Sequence, residues 1–210
     1  MTEALLKLAT WLSPSYPVGA FTYSHGFEAA IGDGAIHDAE TLAAWIADTL
    51  EHGAGRTDAI LLAHAWRDPV DEQVAELARA LAPSSERLLE AEAQGNAFAA
   101  TTAAAWGPDL PAAPYPVAIG RAAAQHGLPL EDTAALYLHA FASNLVSAGI
   151  RLIPLGQTEG QGVVARLAPL IRRIAAEAIG ASLDDIGSAC FIGDIAAMRH
   201  ETQSVRLFRS

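Results

Sequence analysis

Three stretches of this chain set chemistry-bearing side chains close together. Ser24, His25 and Glu28 offer a hydroxyl, an imidazole and a carboxylate within five residues. Neighbouring helical residues point about 100° apart, whereas a nucleophilic triad draws its members from distant segments so that base and nucleophile converge. A capping serine beside a half-buried imidazole is the simpler reading. His200-Glu201 carries half of a helical zinc-protease motif, and the second histidine is missing. The seven histidines (His25, His37, His52, His64, His126, His139 and His200) are scattered. None forms the His-x-x-x-His spacing that puts two imidazoles on one helical face. The run from Gly156 to Gly162, GQTEGQG, lacks the Gly-Lys-Ser/Thr ending that grips phosphate, so it reads as a polar loop between helices. These patterns assign no catalytic residue and no metal ligand.

The elements that must carry these residues read as helices. Apolar side chains recur every three or four positions, and no stretch alternates as a strand would. Asp38 caps a helix whose Leu42, Trp45, Ile46 and Leu50 share one face, and Gly53 is expected as its left-handed stop. A second helix runs from Ser84 to Trp106, weakened at Gly95 and ended by Gly107-Pro108. Residues 109–116 hold three prolines and should form a mobile surface loop. Pro116 opens a short helix ending at Gly127. The next runs from about Leu130 toward Arg151, burying Leu138, Phe141 and Leu145, and Leu152-Ile153-Pro154 breaks it. Helical pattern returns from Gly162 to Ala178, with Pro169 opening or kinking a helix, and Gly180 closes it. Trp45, Trp66 and Trp106 sit at core spacing. The expected fold is all-α, a compact single-domain bundle.

Composition narrows the functions open to it. At 210 residues, 51% hydrophobic and 18% charged, the chain can build one substantial core. Its formal charge of −11 repels phosphate backbones and anionic lipid surfaces, so neither nucleic acid nor membrane is an expected partner. The lone Cys190 cannot close an internal disulfide, and the first residues lack a basic, apolar leader. A cytoplasmic location fits both.

Two segments do not read as plain helix or linker. Residues 11–28, WLSPSYPVGAFTYSHGFE, crowd two prolines, two glycines and five aromatics into eighteen positions. Residues 193–210, GDIAAMRHETQSVRLFRS, carry Arg199, Arg206 and Arg209 against an acidic whole. Their Ile195, Met198, Val205, Leu207 and Phe208 suffice to dock, though not to fold alone. The body is therefore bounded at 1–192 and the tail at 193–210. With Glu92 and Gln94-Gly95 in the middle helix and NLVSAGIRLIPLGQTEGQ at residues 144–161, these motifs follow one another as in a known family. The chain resembles the urease accessory protein F family over nearly its whole length.

The resemblance implies an all-helical, non-catalytic chaperone for nickel insertion into urease. It implies a homodimer that binds urease accessory protein D, called H in some organisms. That pair recruits the accessory GTPase, protein G, and delivers nickel to the urease apoprotein. It implies no cofactor of the chain's own, nickel being handled by the complex. In such proteins the tail is flexible when free and ordered on the D or H partner. The implied partner-binding residues are Pro17, Gly19, Phe21, Ser24 and His25 in the first segment. In the second they are Met198, Arg199, His200, Glu201, Arg206, Leu207 and Phe208. Phe21 and Arg206 match positions associated with GTPase recruitment. Ser204 and Val205 replace the family's usual Tyr-Ser, which removes an aromatic contact. The competing classes are an enzyme using Ser24 and His25, or His200 and Glu201, and a helical sensor binding a small ligand.

Overall fold

The computed structural model describes residues 2–210. It is all-α, and among the described residues no strand occurs. The helices are α1 (Glu3–Trp11), α2 (Phe27–Gly32), α3 (Ala39–His52), α4 (Ala54–Arg67) and α5 (Glu72–Ala80). They continue with α6 (Ser85–Trp106), α7 (Tyr115–Gln125), α8 (Leu130–Leu152), α9 (Gln157–Gly180) and α10 (Phe191–His200).

The cap expected at Asp38 is present, and Ser84 supplies a second. Asp38 accepts the Thr41 N–H at 2.8 Å in a capping box, and Ser84 Oγ accepts the Arg87 N–H at 3.2 Å. Gly53 departs from expectation. It closes α3 and opens α4 with φ of −129°, so it is not left-handed. What selects glycine there is space, because a Cβ would lie 2.9 Å from Cys190 Cβ and 3.1 Å from Thr49 O.

Helix α4 is the hub, packing against α3, α5, α7, α8 and α9. Its Ala59, Ile60, Leu61, Leu62, Ala63 and Ala65 are all buried, as are Val117, Ala118, Ile119, Ala122 and Ala123 of α7. Gly120 brings these two backbones together, since a Cβ on it would sit 2.4 Å from Leu62 O. Gly95 acts similarly on α6: a Cβ there would overlap Ala113 O at 1.9 Å. The Pro-rich connection before α7 is accordingly pinned at its end, with Ala113 and Pro114 buried.

Three other expectations need correction. The glycine-rich run is not a loop: α9 begins at Gln157, and Gly160 is buried where a Cβ would meet Ile150 Cδ1 at 2.3 Å. Its small residues serve α8–α9 packing. Pro169 does not open a helix, the first of its two expected roles, because it lies within α9, which continues through it. Trp106 is 41% exposed rather than core, its ring lying under the Lys7 ammonium, while Trp45 and Trp66 are partly buried, as is Phe141.

Candidate partner-binding site

The two segments that resisted a plain helical reading lie side by side. After α1 the chain turns through Gly19, at φ +73°, into a short 3-10 turn at Ala20–Thr22. Asn144 of α8 donates to Ala20 O at 2.9 Å and Arg151 to Phe21 O at 2.9 Å, which fixes this turn on α8. Pro17 is exposed, and Phe21 projects into solvent at 64% exposure. His25 and Gly26 follow in consecutive left-handed conformations, φ +56° and +78°. This is an uncommon state for a residue with a side chain. It opens α2 beneath α10, and a Cβ on Gly26 would lie 2.5 Å from Ala197 N.

The other segment crosses that surface. The 192/193 boundary falls inside α10, which packs on α2 and α6. From Glu201 onward the main chain is held by hydrogen bonds. Glu28 accepts the N–H groups of Leu207 and Phe208 at 2.7 and 2.9 Å. Arg209 N–H donates to Thr22 O at 2.8 Å, and Ser24 N–H to the main-chain oxygen of Ser210 at 2.7 Å. Ser24 Oγ–H donates to the same oxygen. Ser210 Oγ donates to Glu90 at 2.7 Å. Glu201 reaches the start of α6, accepting from Ser85 N–H and Oγ–H at 2.7 Å each, where a carboxylate also complements the helix dipole. Phe208 is buried, with the Arg151 guanidinium 4.5 Å from its ring centroid.

Beneath the crossing lies a charged cluster. His25 Nε2 meets Glu90 Oε1 at 2.8 Å, Gln94 Nε2 donates to that oxygen at 2.9 Å, and Arg87 pairs with the other oxygen. Burial pushes the Glu90 carboxyl up, yet the Arg87 guanidinium and the His25 imidazole outweigh it and hold it at about 2. Burial, and then Arg87, push the His25 imidazole down, so a neutral ring donating Nε2–H to Glu90 fits the contact. His200 is fully buried: its Nδ1 lies 2.7 Å from Glu86, and its Nε2 faces Glu28 at 3.5 Å without a hydrogen bond. Arg206 pairs with the second oxygen of Glu86. The cluster borders a cavity of about 410 Å³ whose wall includes His25, Asp58, Arg87, Glu90, Tyr115 and Tyr137. Tyr137 donates its hydroxyl hydrogen to Asp58 at 2.7 Å.

The residues singled out from sequence thus divide into two groups. Phe21, Met198, Arg199, Arg206 and Leu207 are exposed, with Arg199 paired to Asp33 at 2.9 Å. Ser24, His200 and Phe208 are buried and hold the surface in place from below. Of the apolar side chains expected to anchor the tail, only Phe208 does so, because Met198 and Leu207 face solvent. Ser24 and His25 engage different partners, Ser210 and Glu90, and no hydrogen bond joins them. Sequence reasoning missed Glu86, Arg87, Glu90 and Arg151. Glu86, Glu90 and Gln94 recur every four residues on an Ala-rich helix, a polar stripe that marks a face buried against charge.

The motifs that meet here also align with known proteins. The UreF family model matches residues 36–168, well over half of the chain. The chain belongs to the UreF family. A urease accessory protein UreF of Cereibacter sphaeroides is 62% identical over 210 residues, covering all of both chains. The UreF relative of Roseobacter denitrificans is 53% identical over 211 residues, covering all of this chain and 95% of the relative. That of Rhodopseudomonas palustris is 50% identical over 224 residues, with 100% and 92% covered. Among the described residues no helix is long and apolar enough to cross a membrane.

Proposed function

We propose that this chain is a urease accessory protein that works by binding. It presents the Phe21 turn and the crossing tail as one surface to urease accessory protein D or H, and that pair recruits the GTPase, protein G. The assembly, a homodimer of this chain at its centre, matures the nickel centre of the urease apoprotein in the cytoplasm. Nickel is cargo of the complex, and GTP hydrolysis belongs to the partner. The observation that carries the reading is the adjacency of the two family-marked segments. Segments 180 residues apart are locked together by Glu28, Ser24 and Glu90, with Phe21, Arg206 and Leu207 projecting outward.

Binding rather than turnover also suits the side-chain commitments. Ser24 Oγ–H is spent on Ser210, and the His25 imidazole on Glu90. The tail is proposed to loosen and reseat when the D or H partner docks, the cost of reordering being offset by burial of Met198 and Leu207. Arg206 would exchange Glu86 for a partner carboxylate, which a planar guanidinium engages through two parallel bonds.

The test is co-purification of this chain with proteins D and G. Arg206→Ala should lower GTPase capture at least tenfold while helical content stays the same. Deleting residues 198–210 is the poorer experiment, because it strips hydrogen bonds from half-buried Glu28 and Glu86 and from buried Glu90. Undiminished capture by Arg206→Ala would remove the arginine from the surface.

A further inference from the structure

The cavity of about 410 Å³ is a chamber of the helical body alone. Its wall is drawn from α4 to α9 and from the segment that follows α1, and none of its lining residues belongs to 193–210, so the site is complete without the tail. Leu12, Pro14, Val18 and Phe141 make much of the wall apolar, and a few polar side chains converge on it, the pattern of a small-molecule site. Among those polar groups Asp58 lacks a counter-charge. Tyr137 donates to its Oδ2 at 2.7 Å, while among the described residues no hydrogen bond reaches Oδ1 and no cation pairs with the carboxylate. Arg87, on the same wall, is committed to Glu90, a pair that is neutral in sum, and the His25 imidazole beside them is held neutral by burial. A carboxylate enclosed in this way bears a desolvation cost that Tyr137 and Arg87 offset only in part, which is why burial pushes the group up to about 6.

We infer that this cavity binds a small organic cation, a protonated amine carried on a short apolar body, with Asp58 as its anchor. The guest supplies the charge that the carboxylate lacks. Tyr137 orients the carboxylate through Oδ2 and leaves Oδ1 for the ammonium, while the apolar wall takes the body. The rings of Tyr115 and Tyr137, with centroids 5.7 Å apart and planes tilted by 49°, add aromatic surface that attracts cations. A metal ion would need several ligands at once, and among the described residues no group of three His, Cys, Asp or Glu side chains could hold one. An ammonium needs one carboxylate and apolar company. The inference makes no use of the D or H partner, so it stands or falls apart from the partner-binding reading.

Benzylamine is the probe, titrated into the full chain alone at about pH 8, where the amine is protonated and Asp58 is ionised, and followed by amide chemical shifts. Shifts should saturate and cluster around residues 58, 115 and 137. Affinity should exceed that of benzyl alcohol and of benzoate, the neutral and anionic counterparts, by about tenfold or more. Asp58→Asn keeps the shape of the side chain and removes its charge. It should weaken the amine by about tenfold or more and leave benzyl alcohol little changed. Equal affinity for amine and alcohol overturns the inference, because the cavity would then be an apolar void only. Tighter benzoate overturns it by making Arg87 the anchor, and displacement of the amine by an equal concentration of nickel chloride overturns it by making Asp58 a metal ligand. Shifts that never saturate, or that are confined to α10 and residues 201–210, overturn it as well. Should Asp58→Asn fail to fold, the three probes on the parent chain still decide.

Discussion

The contact between α4 and α7 and the seat of the tail are held by opposite means. In the first, alanines, leucines, isoleucines and a valine of two helices are buried and Gly120 lets the backbones touch. The polar exception is Arg121, whose Nη2 donates to Asp71 O at 2.9 Å and meets Glu72 at 3.0 Å. In the second, three glutamates from α2 and α6 take main-chain and side-chain donors from a segment with one large buried hydrophobic residue. Apolar packing is non-directional and tolerates several solutions. A buried carboxylate tolerates one, because losing its donor leaves the desolvation cost unrecovered. The first contact therefore supplies stability, and the second supplies a defined surface.

The largest expected effect probes the apolar side of this contrast. Leu62→Ala removes a fully buried side chain from the stretch of α4 whose backbone meets Gly120. It should lower the unfolding free energy by about 2–5 kcal/mol, through lost transfer energy and the cavity left behind. Urea unfolding measures it. A loss below about 1 kcal/mol would mean that α4–α7 packing is not the main store of stability, and the contrast would fail.

The same contrast decides what the sequence disclosed. Helices α3 and α6 were legible because each starts at a capping side chain, Asp38 or Ser84, and ends at a glycine. Helix α4 escaped notice: it opens without a side-chain cap, straight from the end of α3. Gly160 was misplaced because periodicity does not distinguish a glycine that turns a chain from one that lets two helices approach. The exposed part of the candidate site, Phe21 and Arg206, was legible through family motifs. The burial of His200 was not, since nothing near it in sequence names Glu28 and Glu86 as the groups that would enclose it.

Acid and base separate the two kinds of buried carboxyl. At Asp58, on α4, burial pushes the group up from its ordinary 3.8 to about 6, and the Tyr137 hydrogen bond offsets only part of that. Its folded-state proton is held more tightly than in the unfolded chain, so stability is lost as pH rises from about 4 to 6 and stays level above. Glu90 runs the other way: held at about 2 against an ordinary 4.5, it contributes stability that is lost as pH falls from about 4.5 to 2. Asp58→Asn should remove the first slope and leave the second. At roughly 1.4 kcal/mol per pKa unit, the variant would gain up to about 3 kcal/mol over the parent at pH 7 and little at pH 4. Thermal melts across that range are the measurement. A gain equal at pH 4 and pH 7 would show that the folded chain holds the Asp58 proton no more tightly than the unfolded one does.

The smallest effect belongs to the rim of the tail's seat. Arg199 Nη1 lies 2.9 Å from Asp33 at the end of α2, with both side chains largely exposed. In that setting each charge keeps its water and salt screens their attraction, so the pair should contribute less than about 1 kcal/mol. For a chain of this length Arg199→Ala should then lower Tm by no more than about 2–4 °C. Raising salt should shrink even that difference. Because Glu28, and neither Asp33 nor Arg199, takes the N–H groups of Leu207 and Phe208, amide exchange at those residues should stay close to the parent's. If Arg199→Ala instead released those amides, the hold on the tail would reside in solvent-facing ion pairs. The distinction between a buried seat and an exposed rim would then disappear.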